Sequence, residues 1–334
     1  MKHGLFAAIA VAALAGCGGS MPFANGSSHL EASRRAPGAA TILAIGEQGT
    51  KKEGVIEVFT APFQSPPVRL RLSNTLSLGI APNGDLIAAS YGGTFVYDPP
   101  YKGVAPRKID DSTLGARMLF DSANRLFEVE YFGAVEVFDP PYNGKPILTI
   151  EGPVELSSGA LDAEDNLFLK GGDASVYECR SPKYKCKPLR NLGAVAIDKT
   201  TNDLYALRGS GSDGVEEFAP PYHAAPIAKT ETSFAPSDIA VTARGIVFVP
   251  GQDTLSQGYL AVFPHSLGGR TVTFPMEAYY SQIYDFSVAQ DRALFVAAGT
   301  YDRPCVAIHP FPYHARGSYR CIKTNDPIYA VAAR

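Results

Sequence analysis

Four polar residues break apolar stretches of this 334-residue chain where chemistry could be done: Arg117, Asp238, Asp285 and Tyr329. Each stands at the entrance of a short aliphatic run that reads as a strand, as Arg117 does before Met118–Phe120 and Asp238 before Ile239–Val241. The two carboxylates, Asp238 and Asp285, could share a divalent cation such as calcium, or divide the roles of general acid and base. Arg117 would hold an anionic group with its planar fork of donors. The same residues suit a plainer arrangement, a solvated channel lining in which Arg117 pairs with an aspartate. No Gly-x-Ser-x-Gly elbow, His-Glu-x-x-His pair or phosphate loop occurs. Beyond the possible cation, no cofactor is expected.

A second group is aromatic. The phrase Val96-Tyr97-Asp98-Pro99-Pro100-Tyr101 returns as Val137-Phe138-Asp139-Pro140-Pro141-Tyr142 and as Glu217-Phe218-Ala219-Pro220-Pro221-Tyr222. A looser copy ends in Tyr313. If these hairpins share one side of the molecule, Tyr101, Tyr142, Tyr222 and Tyr313 would form an aromatic face able to dock carbohydrate or protein. Alternatively, proline stiffens each turn and tyrosine packs back on its own hairpin. Recurrence in nearly every unit favours packing.

The elements that would position these residues follow from a repeat. The landmark aromatic or its counterpart falls at 59, 97, 138, 177, 218, 263 and 309, with spacings of 38, 41, 39, 41, 45 and 46. That period suits a propeller blade. Before each landmark come two apolar runs joined by a corner such as Asn83-Gly84-Asp85 or Ala163-Glu164-Asp165-Asn166, and after it comes a fourth run. High Gly (32) and Pro (26) suit many short strands. The first unit, from Thr41, lacks an opening strand, and Ile328–Ala332 supplies a spare one. The expected fold is therefore all-β, a seven-bladed β-propeller of four-stranded antiparallel blades with the C-terminal strand closing the first. Eight blades, or six with a separate hairpin, are the alternatives. In strand alignment Leu78, Arg117, Ser158, Ala194, Asp238, Asp285 and Tyr329 then enter the inner strands together.

The units Phe120-Asp121-Ser122-Ala123-Asn124-Arg125-Leu126-Phe127 and Leu161-Asp162-Ala163-Glu164-Asp165-Asn166-Leu167-Phe168 resemble those of NHL-type and gluconolactonase-like propellers. The likeness spans the body of the chain but is architectural. Gluconolactonase-like enzymes bind a metal in the channel with Glu, Asn and Asp, and that set has no residue-by-residue match here. The N-terminus has Lys2 and His3 followed by an apolar run from Gly4 to Gly16, too short to span a bilayer. It ends in Leu14-Ala15-Gly16-Cys17, which resembles the bacterial lipobox. The resemblance implies cleavage of a lipoprotein signal peptide at 1–16, lipidation of Cys17 and anchoring of the chain to a membrane by acyl chains alone. Gly18 after the cysteine points to the outer rather than the inner membrane. Small and polar residues over 17–39 read as a flexible tether, leaving 40–334 as a single propeller domain.

Export makes oxidation available to the remaining cysteines. Cys179 and Cys186 flank one hairpin, and Cys305 and Cys321 flank another whose midpoint is Tyr313. Cys179–Cys186 and Cys305–Cys321 are the expected disulfides, with the members of each pair opposite one another. Thirty basic against 33 acidic residues, without a basic run, argue against nucleic acid. The chain thus reads as an exported monomer that binds an envelope protein, carbohydrate or other ligand. A metal-dependent hydrolase, lactonase or lyase at the channel mouth is the alternative.

Overall fold

The structure, a computed structural model, describes residues 42–334 except for short stretches, the longest being 48–53, 209–213, 276–281 and 311–319. Cys17, the signal at 1–16, the tether at 17–39 and Tyr313 lie outside the described residues.

Seven antiparallel sheets follow one another along the chain. Blade 1 holds β1 (Ile42–Glu47), β2 (Val55–Thr60) and β3 (Val68–Arg71). Blade 2 holds β4 (Thr75–Ile80), β5 (Leu86–Ser90), β6 (Gly93–Tyr97) and β7 (Arg107–Asp110). Blade 3 is β8 (Gly115–Phe120), β9 (Leu126–Glu130), β10 (Ala134–Phe138) and β11 (Leu148–Glu151). Blade 4 is β12 (Ser158–Leu161), β13 (Leu167–Lys170), β14 (Ser175–Arg180) and β15 (Lys185–Asn191). Blade 5 is β16 (Val195–Asp198), β17 (Asp203–Leu207), β18 (Gly214–Phe218) and β19 (Ala228–Glu231). In blade 6 the inner strand is split into β20 (Ala235–Pro236) and β21 (Ala240–Val241), both on β22 (Val247–Gln252), with β23 (Gly258–Phe263) and β24 (Val272–Pro275) outside. Blade 7 is β25 (Gln282–Ala289), β26 (Ala293–Thr300), β27 (Arg303–Pro310) and β28 (Arg320–Lys323). The last strand, β29 (Ile328–Ala333), pairs with β1 and closes the ring. Each blade is thus a meander with strands A to D from the axis outward.

The A–B corners explain why the recurring Asp, Asn and Gly are there. The Asp121 carboxylate accepts the N–H groups of Ala123 (3.0 Å) and Arg125 (2.7 Å). Asp162 does the same for Glu164 and Asn166. One or two residues before strand B, Gly84, Asn124, Asp165, Asn202 and Gly245 all have φ between 60° and 97°, a left-handed conformation that Asn, Asp and Gly tolerate best.

The core is distributed. Each junction between neighbouring blades has its own apolar cluster, such as Leu119, Phe127 and Val129 of blade 3 against Leu167 and Leu169 of blade 4. Blades 7 and 1 meet likewise through Phe295 and Val306 against Leu43 and Val331. Both cysteine pairs are bonded. Cys179 stands opposite Cys186, but Cys321 stands opposite Ala307, and Cys305 opposite Lys323. The second bridge is therefore diagonal across its hairpin, not between facing residues, because the register is not centred on Tyr313. Two disulfides suit an oxidising, extracytoplasmic compartment. Among the described residues no helix is long and apolar enough to cross a membrane.

Candidate functional site

Three regions hold the residues with chemical potential. The first is the axis. Arg117 stands on β8 of blade 3 and Asp238 lies between β20 and β21 of blade 6, nearly opposite in a ring of seven. A contact between them must cross the channel. Arg117 Nη2 reaches Asp238 Oδ2 at 3.2 Å, with the two side chains 0% and 6% exposed. Arg117 Nη1 donates to Ser158 Oγ at 2.7 Å, and Ser158 Oγ accepts the Val195 N–H at 3.3 Å. Asp238 Oδ1 accepts the Ile239 N–H at 2.8 Å. One guanidinium therefore ties the inner strands of blades 3, 4 and 6. The expected solvated lining is instead a buried bridge, because the inner strands bring the Ser158 hydroxyl and the Asp238 carboxylate within reach of the Arg117 guanidinium.

The other channel residues divide. Backbone register puts Asp285 opposite Ala297 just as Arg117 is opposite Val129, each directly after a β-bulge. The Asp285 side chain lies outside the described residues. Tyr329 does not share that register. It is the extra residue between Ile328 and Ala330, and Ala330 takes the place aligned with Arg117. Bulges insert one unpaired residue, which sequence alignment without a partner strand cannot locate.

The second region is the C–D face. Tyr101, Tyr142 and Tyr222 are buried, at 6%, 1% and 4% exposure, so they do not form the docking ring entertained from sequence. Each has φ between 56° and 68°, which turns the ring inward. Each hydroxyl donates to the left-handed corner residue of its own blade. Tyr101 reaches the Gly84 carbonyl (2.5 Å), Tyr142 that of Asn124 (2.6 Å) and Tyr222 that of Asn202 (2.8 Å). The rings also join blades, Tyr222 meeting Phe168 and Tyr184 meeting Phe127 edge to face. The phrase is a latch between two corners and a wedge between two blades. Tyr222→Phe should therefore cost about 1 kcal/mol, the net worth of one hydrogen bond, read as a shift in urea midpoint at unchanged slope. A groove of about 580 Å³ on this side is lined by Pro66, Arg69, Tyr97, Tyr101, Lys102 and Pro106 among others. Its lining has no carboxylate or histidine.

The third region was missed from sequence. The B–C turns share the opposite face, and three of them expose large apolar side chains: Tyr91 (51%), Phe132 (69%) and Leu255 (86%). Beneath that face, where blades 2 and 3 meet, lies a group of carboxylates. Asp110 ends β7, Glu128 and Glu130 lie on β9, and Glu136 lies opposite Glu128 on β10. One oxygen each of Asp110, Glu130 and Glu136 lie within 4.8 Å of one another. Glu128 is fully buried, and its Oε1 accepts the Thr94 hydroxyl of blade 2. Burial pushes the Glu128 carboxyl up to about 8, with neighbouring acids adding to it and the Thr94 hydrogen bond opposing. Glu136 is raised to about 7 by burial, then by Asp110 and Glu130. The available signal was Glu128 itself. Its position in strand B is held elsewhere by Ile45, Ala88, Leu169, Ala206, Val249 and Val296.

In fold, the chain is similar to a chain in the crystal structure of a mitotic checkpoint complex, with a TM-score of 0.65 and 15% identity over 83% of this chain and 84% of that one. At that identity the likeness establishes the propeller architecture alone. No family model matches the sequence, and no curated protein matches it.

Proposed function

We propose that this chain is an exported propeller, lipid-anchored through Cys17, that docks a protein of the cell envelope on its B–C face. The observation carrying this reading is the exposure of Tyr91, Phe132 and Leu255 on one face. On the opposite face Tyr101, Tyr142, Tyr184 and Tyr222 are spent on packing, and the exposed apolar side chains there are the aliphatic Ile147 and Ile227 among the described residues. Aromatic side chains are enriched at protein interfaces, and tyrosine among the residues that dominate their binding energy. The similar chain comes from a structure described as a complex, in keeping with propellers as binding scaffolds. The channel hydrolase is the weaker reading. The Asp238 carboxylate already has a cation, Arg117, and a backbone donor, which leaves a metal there to rest on Asp285.

The test is cross-linking of the purified chain to solubilised envelope proteins, with Tyr91→Ser, Phe132→Ser and Leu255→Ser combined. These exposed substitutions should change stability by no more than about 0.5 kcal/mol each. A defined cross-linked partner that disappears in the triple variant is the expected result. The same partner captured equally by both chains would overturn the assignment of the face.

A further inference from the structure

We propose that Asp110, Glu130 and Glu136 bind a calcium ion at the junction of blades 2 and 3, with Glu128 as the buried carboxylate behind it. A group of surface acids alone would not carry this. Glu128 does, because it occupies the interior position that is apolar in the six other blades and is itself fully buried. Among the described residues its Oε2 has no hydrogen-bond partner, and neither has the buried Oε2 of Glu136. Among the described residues, the charged groups acting on Glu136 are Asp110 and Glu130, and those acting on Glu128 are the same two and Glu136. All are acidic. A buried carboxylate costs several kcal/mol unless it is paired, so a junction with this concentration of negative charge calls for a cation.

The geometry suits calcium. Its oxygen ligands sit at about 2.3–2.6 Å, so ligands on opposite sides of the ion stand about 5 Å apart, and the three oxygens lie within 4.8 Å. Calcium also accepts irregular sets of six to eight oxygens completed by water. The ligands belong to two blades, Asp110 to blade 2 and Glu130 and Glu136 to blade 3. The ion would fasten that junction. This inference stands independently of the docking reading.

Equilibrium dialysis and thermal melting of the full chain, stripped with chelator and then offered calcium or magnesium chloride alone, test it. One calcium per chain is expected, with a dissociation constant of about 10⁻⁵ to 10⁻³ M and a melting point that rises with calcium. Glu130→Gln and Glu136→Gln should each weaken binding at least about ten-fold. Both should melt at or above the wild-type temperature in chelator, which certifies that they fold. Glu128→Gln should also melt higher in chelator at pH 8.5, since it removes the buried charge while keeping an acceptor for Thr94. Failure to bind calcium at millimolar concentration, or equal affinity in wild type and Glu136→Gln, would overturn the site. So would binding lost in Asp285→Asn but kept in both glutamine variants, which would put the ion in the channel.

Discussion

Arg117→Met is expected to destabilise the protein by about 3–5 kcal/mol, the cost of leaving one partner of a buried ion pair without the other. The guanidinium is completely buried, and its removal strands Asp238 across the axis while withdrawing the donor from Ser158. Asp238→Leu should cost a similar amount by stranding the arginine. The double variant Arg117→Met/Asp238→Leu should recover much of the loss, because an apolar pair of comparable volume has no charge to desolvate. Urea unfolding of the four proteins measures the coupling directly. A single-variant loss below about 1 kcal/mol would mean that water reaches the axis and screens the pair.

The second large effect is on pH. In calcium-free protein, stability should fall as pH rises from 5 to 9. Glu128 has an ordinary value of 4.5 when unfolded and about 8 when folded. Between those values the folded state holds a proton that the unfolded state has released. The associated stability is complete below pH 4.5 and is lost as pH rises through 8. For Glu128 the loss is on the order of 4 kcal/mol. Glu136, raised to about 7, acts in the same direction, more weakly because it is partly exposed. Asp110 and Glu130 from the two blades and Glu136 from the neighbouring strand are the charged groups that face Glu128. Glu128→Gln should match wild type at pH 5 and exceed it at pH 8.5 in chemical denaturation with chelator present. Parallel profiles for the two proteins would contradict the burial of that charge.

The architecture was legible in the sequence because a propeller writes its period into the chain. Landmarks 38 to 46 residues apart and a first unit lacking its inner strand were enough to foresee seven blades and closure by β29. Details that depend on a partner strand were not legible. The bulge that takes Tyr329 out of line, the diagonal Cys305–Cys321 bridge and the split inner strand of blade 6 are properties of register, and register exists only between two strands. At the axis Arg117 and Asp238 were both singled out, but whether Arg117 met water or Asp238 depended on the space around it, and Leu78, like Tyr329, falls outside the Arg117 register, Ser77 taking its place. The acidic junction was hidden for a different reason. Asp110 is 18 residues before Glu128 in the chain and belongs to another blade. Only folding brings their charges together. The tyrosines taught the converse lesson. A repeated exposed-looking motif was interior, because a left-handed residue after two prolines turns its ring into the fold.

Closure of the ring has a consequence for the order in which the protein can assemble. Ile42 and Arg334 exchange backbone hydrogen bonds of 2.7 and 2.8 Å, so the first and last strands are neighbours in space and extremes in time. At a synthesis rate of about 5–20 residues per second, β1 waits on the order of 15–60 s for β29. Throughout that interval one edge of the opening sheet has unmet donors and acceptors, able to recruit any passing strand. For a newly made chain, the seam between first and last strands is the moment of greatest exposure to aggregation.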